Sequence, residues 1–571
     1  PRRAAARAAA RAMPGPEWLE TLGAGDGGEP PAPQPLGDAS ACAASQPPAA
    51  GGQEAPPAPS TGMPLAEFAR DLLVAAMELL GAADLARVAA ASRLFFLLAR
   101  EVQRRPGLVA EVGPPAAVLA ALGQRLAATP TLGLLFGTGG LGKGGIAEVL
   151  ARRLPPACEV VGAETEELQA IVPPRPAAAG AAAPGAGAGL RSVDEPGQIA
   201  VLLGSFPDAV AESFYVPVRA CLEVSNASDE AEMLAVLERH GLPKGPEWRT
   251  IVFILSGNTL RHRVDPEQLL AAFQRGSPGA AIIGGISRGQ LLRHARGRTS
   301  LPEDGVVGLA LKGSVPLTAL VSRGCKPLTP ALRARGARVH CQDGEERQLF
   351  VPELVAGDGD AQVPLHVVVR AQRASRSSFP IFAGARLGAE GGGYTLEQIS
   401  QEHFERGGGL TLPLGEGAPE PAADCAVRFF QLSPEECRKD LRQLLGYVRQ
   451  QGEAEGEEQT LGAVMFTCGG RGERFFDEEL ADARAFREVF PGLPLVGLWA
   501  GGEIGPQALA EASPAEATRS GQAALQGFTA VLGVFRAPPP PKRSCLAGLA
   551  DAEVPPAVGE ALARLCREAE A

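Results

Sequence analysis

The amino-acid sequence predicts a mixed α/β protein in which a small all-helical unit precedes a large module of two α/β halves. Three observations carry this expectation. Short apolar runs of strand length alternate with helical stretches from about residue 107 to residue 536. Ahead of them, residues 63–104 carry Leu, Val, Met and Phe densely at helical spacing, with no proline after Pro64. Glycine-rich loops, Gly469-Gly470 and Gly501-Gly502, follow two apolar runs of the second half, and open α/β sheets place ligands beyond the carboxyl ends of their strands.

Residues 1–60 are Pro, Gly, Ala and Ser with few large apolar groups, so they bury too little surface to offset the entropy of ordering and are expected to form a disordered arm. The chain opens on Pro1, so it is expected to be a fragment or to begin upstream of a true start at Met13 or Met63; Arg3, Arg7 and Arg11 on one helical face imitate a transit peptide. In the helical unit, 63–104, Leu72, Leu73, Met77, Leu80, Leu85, Val88 and Phe95 fall on apolar faces of two or three short helices broken at Gly81. A unit this small needs a further surface to complete its core, either a partner or the α/β module itself.

The first half, about 107–327, has strands expected around Leu132 to Phe136, Cys158 to Val161, Ile199 to Leu203, Thr250 to Leu255, Ala281 to Ile283 and Val306 to Leu311, with a helix near Pro266 to Arg275. The run from Pro173 to Gly189 reads as a surface insertion. In the second half, 328–536, strands are expected near Leu365 to Val369, Ala426 to Phe430, Gly462 to Phe466, Leu493 to Leu498 and Phe528 to Phe535. Residues 537–571 combine a polyproline segment, Pro538 to Pro541, with one exposed helix, Ala557 to Glu568.

A net charge of −11 argues against nucleic acid as a partner, because that affinity rests on Lys and Arg neutralising phosphates. No run approaches the eighteen apolar residues of a membrane span, so no membrane partner is expected. The ten cysteines, from Cys42 to Cys566, form no C-x-x-C pair, and the six histidines no ligand-spaced pair. Neither a metal site nor a disulfide framework is expected, and a reducing compartment, cytoplasm or nucleus, fits best.

Gly137-Thr138-Gly139-Gly140-Leu141-Gly142-Lys143-Gly144 fits G-x-G-x-x-G between a strand and a helix, with Glu164 about twenty residues on, where a ribose-binding acid belongs. A P-loop would need Ser or Thr where Gly144 stands. With 71 glycines in the chain the pattern is within chance, so no nucleotide and no other cofactor is expected; a nucleotide-dependent enzyme using this loop is the rival reading.

The most specific stretch is Gly462 to Pro506. A strand runs into Thr467-Cys468-Gly469-Gly470-Arg471-Gly472; a helix with Phe486, Val489 and Phe490 follows, and Leu493 to Leu498 leads to Gly501-Gly502-Glu503-Ile504-Gly505. This resembles the FIST C-terminal domain, through Cys-x-x-Arg, Phe490-Pro491, Gly502 to Gly505 and a last strand at Gly527 to Leu532. Ile283-Gly284-Gly285 and Ser322-Arg323-Gly324-Cys325-Lys326-Pro327 resemble the end of the FIST N-terminal domain, and the likeness spans about residues 107–536. It departs at Gly162-Ala163-Glu164, where Gly-Cys is usual, and at Gln526, where His is usual. The resemblance implies either a small-ligand sensor, with amino acids as candidate ligands, or a receptor for client proteins.

Asp84-Leu85 and Ala91-Ser92-Arg93-Leu94-Phe95 make residues 63–104 similar to an F-box, although Phe68-Ala69 replaces the usual Leu-Pro and Phe95 the usual Trp. That resemblance implies a non-catalytic substrate receptor of an SCF-type ubiquitin ligase, with an Skp-type adaptor and cullin as partners and the seven apolar residues above as the adaptor face. The expected ligand or client site gathers Cys325, Lys326, Cys468, Arg471 and Glu503: glycine-loop N–H groups and Arg471 for a carboxylate, Glu503 for an ammonium. The competing expectation is that Arg471 and Glu503 pair with each other. For Cys468 and Cys325 a buried structural role is expected, as for most free cysteines; the alternative is a lowered thiol pKa, from glycine N–H groups beside Cys468 and from Lys326 beside Cys325. No histidine is placed to act as their base.

Overall fold

Three strand–helix–strand units build the α/β module. They are Leu132–Thr138, Ile146–Arg153 and Glu159–Thr165; then Trp248–Ser256, Pro266–Gly276 and Ala281–Ser287; then Gln459–Cys468, Ala481–Val489 and Leu495–Ala500. The structure, a computed structural model, describes residues 102–537 except 143–144, 174–188, 314–316, 341–347, 357–379, 388–392, 400–408, 415–424, 456–457 and 519–520, together with Met77, Leu85, Ala99 and Arg100. In each unit the two strands are parallel, and the helix supplies the crossover that parallel pairing requires. Their sequences are close to continuously apolar because both faces are covered. The second helix starts where Asp265 accepts from the N–H groups of Glu267 and Gln268, just ahead of Pro266.

After each unit the chain makes a hairpin and gives it away. Leu168–Val172 with Gly189–Val193 adds to Leu495–Ala500 of the third unit. Leu291–Ala295 with Arg298–Ser300 adds to Glu159–Thr165 of the first, and Glu503–Pro506 with Ala523–Gln526 adds to Ala281–Ser287 of the second. A returning strand, Ile199–Ser205, Val306–Gly313 or Ala530–Ala537, then pairs antiparallel with the first strand of its own unit. The strand that opened the repeat, Gly107–Gly113, Ala209–Val216 or Leu317–Ser322, closes the sheet edge. Three six-stranded sheets of the same order result. The α/β class is as the sequence predicts; the two halves resolve into three repeats locked by cyclic hairpin exchange.

Each sheet turns one face to a shared centre, where Phe136, Ile254, Ile283, Phe466, Val496 and Val531 meet. The outer faces are covered by helices of their own repeat, with separate cores around Leu150, Phe273 and Phe486. Between Leu317–Ser322 and the long helix Pro434–Glu455 the third repeat carries an insertion with its own core of Leu332, Leu349 and Phe429. Ala426–Leu432 is its central strand. The strand expected near Leu365, the arm 1–60 and the tail 538–571 lie outside the described residues. In the helical unit Met77 and Leu85 are helical and buried, 3% and 0% exposed; Leu72, Leu73, Leu80, Val88 and Phe95 lie outside the described residues.

Candidate functional site

The repeat exposes a chemical exception. The hairpin residue that pairs one position past the glycine of the second parallel strand is Leu168 opposite Leu498, Leu291 opposite Ala163 and Glu503 opposite Gly285. Leu168 and Leu291 point into the shared core, and all three residues are 0% exposed. A leucine satisfies the fold twice, so a buried carboxylate in the third place is not a requirement of the architecture. Burying it without full pairing is costly.

Glu503 is only half satisfied. Oε2 accepts from the Thr529 N–H at 3.2 Å and its hydroxyl at 2.9 Å, while the buried Oε1 has no hydrogen-bond partner. Burial pushes its carboxyl up to about 8, against the opposing pull of Thr529 and the Arg471 and Arg323 guanidiniums. Arg323 is itself buried. Its Nη1 donates to the Leu396 carbonyl at 3.2 Å and its guanidinium lies over Phe382, but its buried Nε is unpartnered.

Arg471 is used differently from either expectation. It ends the single turn Gly469–Arg471 and makes a two-pronged ion pair with Asp482, Nε to Oδ2 at 2.9 Å and Nη2 to Oδ1 at 2.6 Å. Nη1 donates to the carbonyls of Arg323 and Phe528, and the guanidinium lies over Phe476. With the pair 0% and 2% exposed, Arg471 has no edge left for a ligand carboxylate, and its carboxylate partner is Asp482 rather than Glu503. Of the six non-glycine residues with positive φ among the described residues, three flank this pair: Asp477, Leu480 and Phe528. Leu480 caps the helix carrying Asp482, and Phe528 supplies a carbonyl to Arg471, so backbone strain is concentrated where the charge is held.

The cysteines gather here as thiols. Cys468 accepts from the Gly470 N–H, yet burial, then Glu503, pushes it up to about 12. Burial raises Cys325 to about 12 and Cys437 to about 11; Cys437 donates to the Arg323 carbonyl. Desolvation outweighs the glycine N–H at Cys468 and the neighbouring cations at Cys325, which speaks for the structural role of both thiols over the thiolate alternative. Lys326 is exposed, apart from this buried group. Four of the five expected site residues share one cluster, and Arg323, Cys437, Asp440, Asp482 and Thr529 are members that sequence reasoning missed. Asp482 carried a weak signal, an acid in the first turn of Ala481–Val489, the second helix after the Arg471 turn.

Elsewhere the glycine loop is occupied by its own carboxylate. Gly140 N–H donates to Glu164 Oε1 at 2.8 Å, so the acid that would hold a ribose is tied to the amide that would hold a phosphate. A groove of about 620 Å³ between Val218–Ser225 and Glu230–Arg239 has Leu222 and Val236 in its lining, and Glu223 on its rim is paired with Arg219 and Arg239. Among the described residues no helix is long and apolar enough to cross a membrane.

A three-repeat α/β module with a partly satisfied charge cluster in its interior is the class the fold and site define. Comparison with protein families gives a FIST N domain match over residues 131–343 and a FIST C domain match over 420–506. The chain therefore carries both FIST domains, which are signal-transduction sensor domains; the first match covers most of two repeats and the second enters the third. No F-box domain is detected. The chain is 30% identical over 276 residues to the uncharacterized protein Mb0898c of Mycobacterium bovis and 29% identical over 269 residues to the uncharacterized protein Rv0628c of Mycobacterium tuberculosis. Each alignment covers 45% of this chain and 61% of the relative, so the chain spans about three fifths of the length of these curated relatives.

Proposed function

We propose that the module is a small-ligand sensor in which Glu503 and Arg323 hold a zwitterion such as a free amino acid or a peptide end. The observation that carries this reading is the unpartnered Glu503 Oε1, buried at a position where the other two repeats keep leucine. A ligand ammonium would pair with Glu503 and a carboxylate with Arg323 Nε. This replaces the Arg471–Glu503 frame, since Arg471 is consumed by Asp482.

The variant Glu503→Leu copies the other repeats and is expected to fold. In a thermal-shift screen of amino acids and short peptides on the full chain, the native protein is expected to respond at about millimolar ligand and Glu503→Leu not to respond. No response from the native protein, or an equal response from both, would refute the reading.

The raised carboxyl also gives a pH signature. Between about 4.5, where an unfolded glutamate titrates, and about 8, the folded chain holds a proton on Glu503 that the unfolded chain has lost. This group's contribution to stability is complete below that window and is lost as pH rises through it. The urea midpoint of the native protein is expected to fall between about pH 5 and about pH 8.5, and Glu503→Gln is expected to remove that component. An ammonium ligand would displace the same proton, so its affinity should rise with pH across the window. A slope identical in both proteins would show that Glu503 does not titrate there.

Residues 63–104 support a second reading, recruitment of an Skp-type adaptor and cullin with FIST-bound client proteins, in the cytoplasm or nucleus. It rests on the F-box resemblance alone; Met77 and Leu85 are helical, as that resemblance implies, but buried. Because those two face inward, an adaptor face would need the remaining five, led by Leu72 and Leu73. The double change Leu72→Ala with Leu73→Ala is expected to abolish co-purification of the adaptor, and undiminished recovery with the folded variant would reject this reading.

A further inference from the structure

A second exception to the repeat lies on the outer face of the third sheet. Opposite the glycine of the second parallel strand stand Leu292 facing Gly162, Ile504 facing Gly284 and Gln169 facing Gly497. Leu292 and Ile504 belong to the outer cores of their sheets, and all three residues are 0% exposed. Both polar atoms of the Gln169 amide are buried without a hydrogen-bond partner. Gln169 is thus a polar residue that the architecture fills with an aliphatic one elsewhere.

Its neighbours repeat the pattern. Strand alternation places Gln169 on the face of Ile171, and Thr467 on the face of Ala463 and Met465, all packed against the helices Pro434–Glu455 and Ala481–Val489. Trp499 packs against the same core and is paired in register with Thr467. The Thr467 hydroxyl and the Trp499 Nε1–H are also buried and unpartnered. Between Gln169 and Met465 lies Gly497, which adds no side chain to this face. Donors and acceptors from three adjacent strands therefore share one face of the sheet, Gln169 opposite Gly497 and the Thr467–Trp499 pair two residues further along.

We propose that this region beside Gly497 is an interior binding site for a neutral molecule that both donates and accepts hydrogen bonds, filled by water where nothing larger is bound. Gln169, Thr467 and Trp499 carry no charge, and an ion in this apolar layer would lack a counter-charge, which excludes ionic ligands. Two to four polar partners are what a buried water requires, and the set supplies four polar atoms. This site is separate from Glu503, which faces the shared centre; its outcome is independent of the sensor reading.

The test is a pair of crystal structures of the full chain, native and Gln169→Leu, each grown with and without acetamide as a neutral amide probe. The expected result is a bound molecule on the Gln169 amide and on Thr467 or Trp499, lost in Gln169→Leu, a variant that copies Leu292 and should fold. Water in both native crystals identifies solvent as the occupant; acetamide in its place identifies a site for small neutral amides. Either supports the proposal. A Gln169 amide bonded directly to protein atoms with nothing bound beside it overturns the proposal, as does a bound molecule retained unchanged in Gln169→Leu.

Discussion

Asp482→Ala is expected to destabilise the protein by about 3–5 kcal/mol, the usual cost of stripping one partner from a buried ion pair. The reason is geometric. Arg471 is 1% exposed and spends two of its nitrogens on Asp482, so the variant leaves a guanidinium in the interior bonded to two carbonyls, with Asp440 and Glu503 near it but no directly bonded carboxylate. Arg471→Met strands Asp482 in the same way and should cost a similar amount. Removing both charges with Arg471→Met and Asp482→Leu is expected to recover much of the loss, because the desolvation penalty of the pair disappears with it. Urea midpoints of the four proteins close the double-mutant cycle. Single variants within about 1 kcal/mol of the native protein would mean that water reaches the pair. The swap that restores charge is thus Arg471 with Asp482, and pairing Arg471→Glu with Glu503→Arg should rescue nothing.

The parallel strands and their crossover helices were legible because their signals are local: apolar runs of strand length, then a helical period, with Asp265-Pro266 and the Phe490-Pro491 turn marking boundaries. The cyclic exchange was not legible. Whether Glu503–Pro506 lies beside Leu495–Ala500 or beside Ala281–Ser287 depends on pairing across more than two hundred residues, and nothing in a four-residue strand specifies its partner. The alternation of short runs looked the same on either side of residue 327, so a division into two halves was the simplest reading of a threefold pattern. In the site, the sequence pointed to Arg471 and Glu503 because charges beside glycines are conspicuous. It did not reveal that one is held by Asp482 from the following helix and the other faces Arg323 across the insertion point. Those are tertiary facts, and they keep Arg471 in an ion pair while changing its partner from Glu503 to Asp482.

Gly284→Ala and Gly162→Ala are expected to be the most damaging small substitutions in the module. A Cβ at Gly284 would lie 1.7 Å from the Phe253 carbonyl oxygen, and one at Gly162 would lie 1.7 Å from that of Leu135. Both obstacles are backbone atoms of the paired parallel strand, so no side-chain rotation relieves the contact and the strands must separate. The cost should exceed the roughly 1–3 kcal/mol typical of overpacking a core. The equivalent glycine of the third repeat, Gly497, has 2.6 Å to the Met465 carbonyl oxygen, so Gly497→Ala is expected to be milder. Gly446 provides the control: it lies inside the helix Pro434–Glu455 with nothing within 4 Å of its Cβ position. Gly446→Ala should raise stability by about 0.5–1 kcal/mol through helix propensity alone. Melting temperatures and soluble yield of the four variants would check the ranking. If Gly284→Ala melted no lower than Gly446→Ala, the close approach of these strands, and with it the common geometry of the three repeats, would have to be abandoned.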